Sequence, residues 1–413
     1  MAPSFSALFH SFGRIGLLSF GGPAAQISLM HDELVDRRRW LTEEQFLGAL
    51  SFCMLLPGPE AMQLATYAGW RLRGVPGGVL AGLLFVGPGA VVILALALAY
   101  AQFADLDWVQ AAFLGIKAAV VVIVLRALWS LSRKALERRA HWVLAGCAFV
   151  AMYALSVPFP LVIVAAALAG FLLGRDAPPD VAPPRPAHGH LLRTIAIWGT
   201  LWAAPVALAR ALGATFLTEI GLFFSKLAVV TFGGAYAVLA YMTQAVVETH
   251  GWLTTPQMID ALGLAETTPG PLILVTEFVG LLAGFAEGGL PLALLAGALT
   301  LWVTFIPCFL WIFAGAPYVE WLLARPRLKG ALAGISAAVV GVILNLALWF
   351  ALNVLFEAVQ DTALGPWPDA TTLSVRALVL TLLSAGLMLG LRLGLITTLA
   401  LTSAAALAMA WAL

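Results

Sequence analysis

The sequence predicts an all-α polytopic membrane protein of two inverted-topology repeats with broken helices and about 13 transmembrane spans. Composition is the first reason. Of 413 residues, 62% are hydrophobic and 10% charged, against roughly 25% charged in a soluble domain. Apolar runs are the second. They recur at about 20 residues, enough to cross roughly 30 Å of hydrocarbon. No pattern of short alternating strands accompanies them, so helices must satisfy the backbone. Internal register is the third. Ser19 matches Thr231, Trp40 matches Trp252, and Pro57-Gly58-Pro59 matches Pro269-Gly270-Pro271, always at one offset (231 − 19 = 252 − 40 = 269 − 57 = 212). Three landmarks in register across some forty positions mark a duplication.

Residues 5–30 form a first span, interrupted by Gly21-Gly22-Pro23. A polar turn from His31 to Glu44 leads to a second span over residues 45–70 that breaks at Pro57. Further spans are expected over 77–101, 109–131, 142–156 and 159–174. Residues 175–190, RDAPPDVAPPRPAHGH, are polar and proline-rich and cannot continue a helix. An extra span over 192–212 follows, then spans over 218–246, 258–285, 290–314, 330–356, 374–390 and 393–412. The expected organisation is therefore an N-terminal repeat (1–174), a Pro-rich linker (175–193), an extra linking helix (194–217) and a C-terminal inverted repeat (218–413).

Seven spans separate the two starts, an odd number, so equivalent helices should cross in opposite directions. Loop charges agree, because short cytoplasmic loops collect Lys and Arg. Arg133, Lys134, Arg138 and Arg139 face Glu357, Asp361 and Asp369 in the equivalent loop; Asp105 and Asp107 face Arg325, Arg327 and Lys329. The signs swap. A cytoplasmic N-terminus and an outside C-terminus fit best, in the inner (cytoplasmic) membrane. Arg37, Arg38 and Arg39 would then lie outside. Either their acidic neighbours mask them or the first helix dips and returns.

The net charge of +1 argues against nucleic acid. Cys53, Cys147 and Cys308 sit in apolar segments without metal-type spacing and read as packing residues. His31 and His250 have no metal partners at suitable spacing, so no metal or cofactor is expected. No basic region precedes the first apolar run, so no cleavable signal peptide is expected.

Chemistry is expected at the breaks. Pro57 disfavours helix at Leu56, Gly58 can take the turn, and Pro59 suits the first position of a new half-helix. The N–H groups of Glu60, Ala61 and Met62 then head a helix whose dipole favours an anion. Pro269-Gly270-Pro271 repeats this, with Thr267 and Thr268 as hydroxyl donors. The alternative is a plain proline kink. The glycine pairs Gly21-Gly22 and Gly233-Gly234 admit close approach of a ligand or of a neighbouring helix. Arg14 and Lys226 share the register (226 − 14 = 212), each seven residues before its glycine pair. Both read as charges for substrate or as side chains snorkelling to the interface. Glu60 complements the helix dipole, or gates or carries a proton; Glu277, seven residues past Gly270, could couple proton movement. Arg37–Arg39 form an interfacial anchor or an anion vestibule.

Taken together, FGGPAAQISLMHDELVDRRRWLTEEQF, LLPGPEAMQLATYAGW and AGLLFVGPGA, with KLAVVTFGGAYAVL, GWLTTPQMIDALGLAETTPGP and GISAAVVGVILNLA in the second half, resemble the chromate ion transporter family. The resemblance implies two oppositely oriented halves that export chromate using the proton-motive force, with protons and the lipid bilayer as partners. A homodimer is a candidate assembly. The motifs depart little: the third-span motif reads VGPG, and Ala235, not proline, follows the second glycine pair. Sulfate, another tetrahedral dianion, leaves open an oxyanion exchanger or importer. A passive anion channel is the other alternative. No nucleotide-binding glycine motif, haem pair or CxxC supports an enzyme.

Overall fold

Helix breaks fall at the glycine and proline landmarks. The computed structural model describes residues 3–54, 56–174, 191–232, 235–318, 325–362 and 365–411. The expected linker over 175–190 lies outside the described residues, as do Gly233 and Gly234.

Helix α1 (Phe5–Leu18) is capped by Ser4, whose hydroxyl accepts the Ala7 N–H at 3.1 Å. The chain then turns through Gly21 and Gly22, with φ of 86° and 78°. That left-handed conformation is cheap only for glycine. Helix α2 (Gly22–His31) has Pro23 in its first turn and widens into a π turn over Asp32–Arg37. Helix α3 (Glu43–Cys53) opens with a reciprocal cap between Thr42 and Gln45. After the break comes α4 (Glu60–Phe103). Its 44 residues would span about 66 Å if straight, twice the hydrocarbon core. Instead it folds at Arg73–Gly74, where Gly74 has φ 62°. Helices α5 (Asp107–Ala135), α6 (Arg139–Tyr153) and α7 (Phe159–Leu173) follow.

Helix α8 (Leu191–Ala211) precedes a second series: α9 (Thr215–Val230), α10 (Ala235–Gln244), a π turn (Ala245–Thr249) and α11 (Thr255–Thr267). A 3₁₀ turn, Leu272–Leu274, then leads into α12 (Val275–Gly315), which folds at Gly288–Gly289. At the offset of 212, α1 falls on α9, α2 on α10 and α3 on α11, π turns included. The fold at Gly74 matches that at Gly289 with three more residues (289 − 74 = 215), the length of the inserted 3₁₀ turn. Helices α13 (Pro326–Leu355), α14 (Val375–Ala385) and α15 (Leu395–Trp411) complete the chain.

One element was not foreseen. Between α13 and α14, strands β1 (Val359–Thr362) and β2 (Gly365–Pro368) form an antiparallel hairpin. Its polar and proline-rich residues carry no alternating apolar signal. Apart from one isolated bridge between Phe356 and Leu373, the other regular elements among the described residues are helices.

The helices gather into two units. One takes Met1–Leu98, Arg175–Val238 and Thr268–Lys329; the other takes Ala99–Gly174, Leu239–Thr267 and Gly330–Leu413. Each draws on both halves of the sequence. In the first, α12 packs on α8 and α9. In the second, α5 packs on α11, α14 and α15. Small residues set the crossings there. A Cβ on Gly334 would strike the Ala166 carbonyl and approach the Gly170 backbone, and one on Gly115 would meet the backbone of Thr402 and Ser403.

Among the described residues, five helical segments are long and apolar enough to cross a membrane: α4, α5, α8, Leu272–Tyr318 and α13. Only 6% of the apolar window of α8 is buried, against 67% for α13. A helix so apolar and so exposed belongs in lipid. The protein is an integral membrane protein.

Candidate functional site

Within the first unit, the two Pro-Gly-Pro breaks are closed by the opposite repeat. Ser19 and Thr231 end α1 and α9, and both hydroxyls fold back on their own helices, to the carbonyls of Ile15 (2.5 Å) and Leu227 (2.6 Å). A helix end leaves its last carbonyls unbonded. The Ser19 carbonyl accepts the Gly270 N–H at 2.9 Å, and the Thr231 carbonyl accepts the Gly58 N–H at 2.8 Å. Two glutamines reinforce this. Gln26 Nε2 donates to the Gly270 carbonyl at 2.7 Å and to Ser19 at 3.3 Å; Gln63 Nε2 donates to Pro57 at 2.6 Å. Both side chains are buried, and among the described residues neither Oε1 has a partner.

Close packing holds the breaks. A Cβ on Gly58 would lie 2.8 Å from Gln63 Nε2 and 3.1 Å from Cys308 Sγ. A Cβ on Gly89, the last glycine of the VGPG motif, would strike the Pro269 carbonyl oxygen. Gly82 lies against Thr66 Oγ1 and the Phe309 ring.

Pro57 is half-buried, Gly58, Pro59 and Ala61 are buried, and Glu60 begins α4. The N–H of Gly58 is engaged by the Thr231 carbonyl and is not open to an anion. The second break differs. Pro269, Gly270 and Pro271 are buried, but α12 begins only after the 3₁₀ turn. Thr267 turns its hydroxyl back to the Leu264 carbonyl at 2.8 Å, while Thr268 is buried. Glu277 is buried in the first turn of α12, its Oε2 without a partner among the described residues. Beside it in sequence, Thr276 donates to the Ile273 carbonyl at 2.8 Å and lies 3.4 Å from Thr304 Oγ1.

The basic residues sit differently. The Arg14 side chain is about half exposed and lies 3.6 Å from Glu33 in the π turn; Lys226 is exposed. Glu33 is buried and also meets Arg38 at 3.0 Å and Arg37 at 3.9 Å. Arg37 further pairs with Asp32 at 3.1 Å, Arg38 lies over the Trp40 ring, and Arg39 adopts φ 52°. One carboxylate thus gathers three guanidinium groups. His31 bridges Glu43 (2.6 Å) and Asp36 (3.3 Å), and the Glu43 hydrogen bond above all raises its pKa.

Sequence reasoning missed Gln26, Gln63 and the role of Glu33. The signal for the glutamines was present: each is a polar residue four positions past the start of a half-helix at Gly22 or Pro59.

Broken, cross-connected helices in an apolar frame define a class, the membrane transporters with discontinuous helices. The chromate transporter family profile matches residues 6–171 and 218–411, and the chain belongs to that family. A chromate transport protein of Pseudomonas aeruginosa is 36% identical over 345 residues, covering 82% of this chain and 79% of the relative. One of Cupriavidus metallidurans is 31% identical over 350 residues, covering 83% and 82%. An uncharacterized transporter of Bacillus subtilis is 31% identical over 169 residues, which is 95% of its length and 40% of this chain. No solved structure matches significantly. The protein is a membrane transporter, not an enzyme.

Proposed function

We propose that this protein is a secondary active transporter that exports chromate, driven by the proton-motive force. The observation that carries the reading is the reciprocal closure of the two breaks, Gly58 on Thr231 and Gly270 on Ser19. It gives the first unit two helix breaks of common design, the kind of place where transporters bind ions. The names of the Pseudomonas and Cupriavidus relatives supply the substrate.

In this reading the chain crosses the inner membrane thirteen times as two inverted repeats, residues 1–174 and 218–413, with residues 175–193 and 194–217 between them. The swapped loop charges support it, and so does a relative that spans only one half. The N-terminus is cytoplasmic and the C-terminus outside. The N–H groups of Glu60, Ala61 and Met62 and the break at Pro269-Gly270-Pro271, with Thr267 and Thr268, replace the hydration of a dianion. Gly21-Gly22 and Gly233-Gly234 let backbone approach it. Arg14 and Lys226 supply charge, and Arg37, Arg38 and Arg39 attract anions to the entrance. Glu277 and Glu60 are the acids at the breaks that carry protons. Rocking of the repeats gives alternating access.

The test is chromate uptake into inside-out vesicles, energised and then collapsed with a protonophore, with and without excess sulfate. Gradient-dependent accumulation is expected. Passive equilibration would instead make the protein a channel, and accumulation of sulfate but not chromate would make it a sulfate carrier.

A further inference from the structure

The second unit holds a buried charge cluster that lies outside both breaks. Asp260, midway along α11, is 8% exposed. Lys117 Nζ, from α5, lies 3.1 Å from its Oδ1, and the Tyr100 hydroxyl, near the end of α4, donates to Oδ2 at 2.8 Å. Gly263 lets α11 approach α5, since a Cβ there would already lie 2.9 Å from Ile116 Cγ2. A cavity of about 760 Å³ opens beside the trio.

The duplication shows that this cluster is no part of the shared scaffold. Asp260 corresponds to Gly48 (260 − 212 = 48). Lys117, in GIKAAV, corresponds to Ser336, in GISAAV (334 − 115 = 336 − 117 = 219). A brace that the repeat needed would occur twice; this pair occurs once. Two helices are held together as well by apolar packing as by a buried ion pair. Ionisable side chains kept within membrane helices instead mark ion paths.

We propose that Asp260 is a proton-carrying site of the transport cycle, distinct from Glu277, with Lys117 as its counter-charge and Tyr100 as the residue that positions it. The inference rests on the proton-coupled reading above. A proton entering from the cavity adds to the Asp260 carboxylate and gives the neutral acid. Lys117 keeps its charge and loses its partner, and α11 is released from α5. Because α11 runs directly into Thr268 and the Pro-Gly-Pro break, its release reaches that break through the chain itself. Loss of the proton restores the pair. Among the described residues, the charged and titratable groups that line the cavity with Asp260 are Tyr100 of α4, Asp105 after it, Asp107 and Lys117 of α5 and Arg376 of α14. Helix α15 offers none, and Glu266 lies on α11 itself.

The test uses the full chain in inside-out vesicles, with chromate as probe and wild type as reference. Asp260→Asn is expected to lose gradient-driven accumulation while retaining counterflow of labelled chromate at equal concentrations, a mode that needs no net proton movement. Asp260→Glu is expected to recover accumulation. Gradient-driven accumulation by Asp260→Asn with the wild-type pH profile would overturn the proposal. So would recovery of accumulation in the double variant Lys117→Met/Asp260→Leu, which would show a brace that apolar packing can replace. Lack of gradient-driven accumulation by wild type would be a failure of the proton-coupled reading itself, seen before any variant is compared.

Discussion

The backbone N–H of Gly58 donates to the carbonyl of Thr231 at 2.8 Å, and the same bond recurs between Gly270 and Ser19 at 2.9 Å. Each repeat therefore closes the broken helix of the other. All four residues are buried, where an unmet amide or carbonyl costs about 1–3 kcal/mol. The two bonds tie each break to the end of the other repeat's first helix.

Gly58 should tolerate no side chain. Its φ of 119° lies in a region that favours glycine, and a Cβ would press on the Gln63 amide and Cys308. Strain of this kind costs about 1–3 kcal/mol. Gly58→Ala is expected to lower the melting temperature in detergent and to lose transport. Gly270→Ala, whose Cβ would press closely only on Leu274 Cδ1 at 2.9 Å and otherwise make ordinary contacts, with strain from a φ of 89°, should be milder. Equal stability of Gly58→Ala and wild type would contradict the geometry.

Neighbouring glycines of the VGPG motif should behave oppositely. Gly87 has nothing within 4 Å of where its Cβ would stand, whereas Gly89 meets the Pro269 carbonyl. Gly87→Ala is expected to be neutral or to stabilise by up to about 1 kcal/mol through helix propensity. Gly89→Ala should displace the second break and abolish transport. The paired comparison, thermal stability and vesicle uptake on both, separates packing from a general intolerance of the motif.

Much of this frame was legible because proline and glycine act locally. Pro57, Gly58, Pro59 and Gly21-Gly22 break helices through their own backbones, so the breaks could be placed without knowing the fold. The bond from Gly58 to Thr231 spans 173 residues (231 − 58), and no local rule reports it. Asp260 was hidden for a related reason. Its partners, Lys117 and Tyr100, lie far back in the chain, and its repeat equivalent is Gly48, so the register drew no attention to it. Glu33 looked like one acid among several balancing the arginines; only packing reveals it as buried.

The polar turn should be pH-sensitive through His31. Its hydrogen bond to Glu43, with help from Asp36, raises the folded pKa above the ordinary value of 6.5. A raised pKa stabilises the fold fully below the unfolded value and loses that contribution as pH rises through the folded value. His31→Gln should therefore lower the melting temperature most in mild acid, and the difference from wild type should shrink as pH rises past neutrality. A difference that grows with pH would reverse the sign and refute the assignment.

Arg14 and Lys226 offer the sharpest separation of stability from transport. Arg14 makes the longer contact to Glu33, 3.6 Å, while Arg38 at 3.0 Å still neutralises that buried carboxylate when Arg14 is gone. With the Arg14 side chain about half exposed and Glu33 still paired, losing this contact costs about 0–1 kcal/mol. Arg14→Gln should thus fold and express as wild type, and Lys226→Gln, at an exposed position of α9, should do the same. Glu33→Gln is different, because it leaves three guanidinium groups around an uncharged side chain and should destabilise the turn. If Arg14 and Lys226 supply charge to a dianion, both neutral variants lose chromate accumulation despite intact folding. Wild-type accumulation by both would remove them from the substrate path and leave the breaks, with Gln26 and Gln63, as the place to look for the anion.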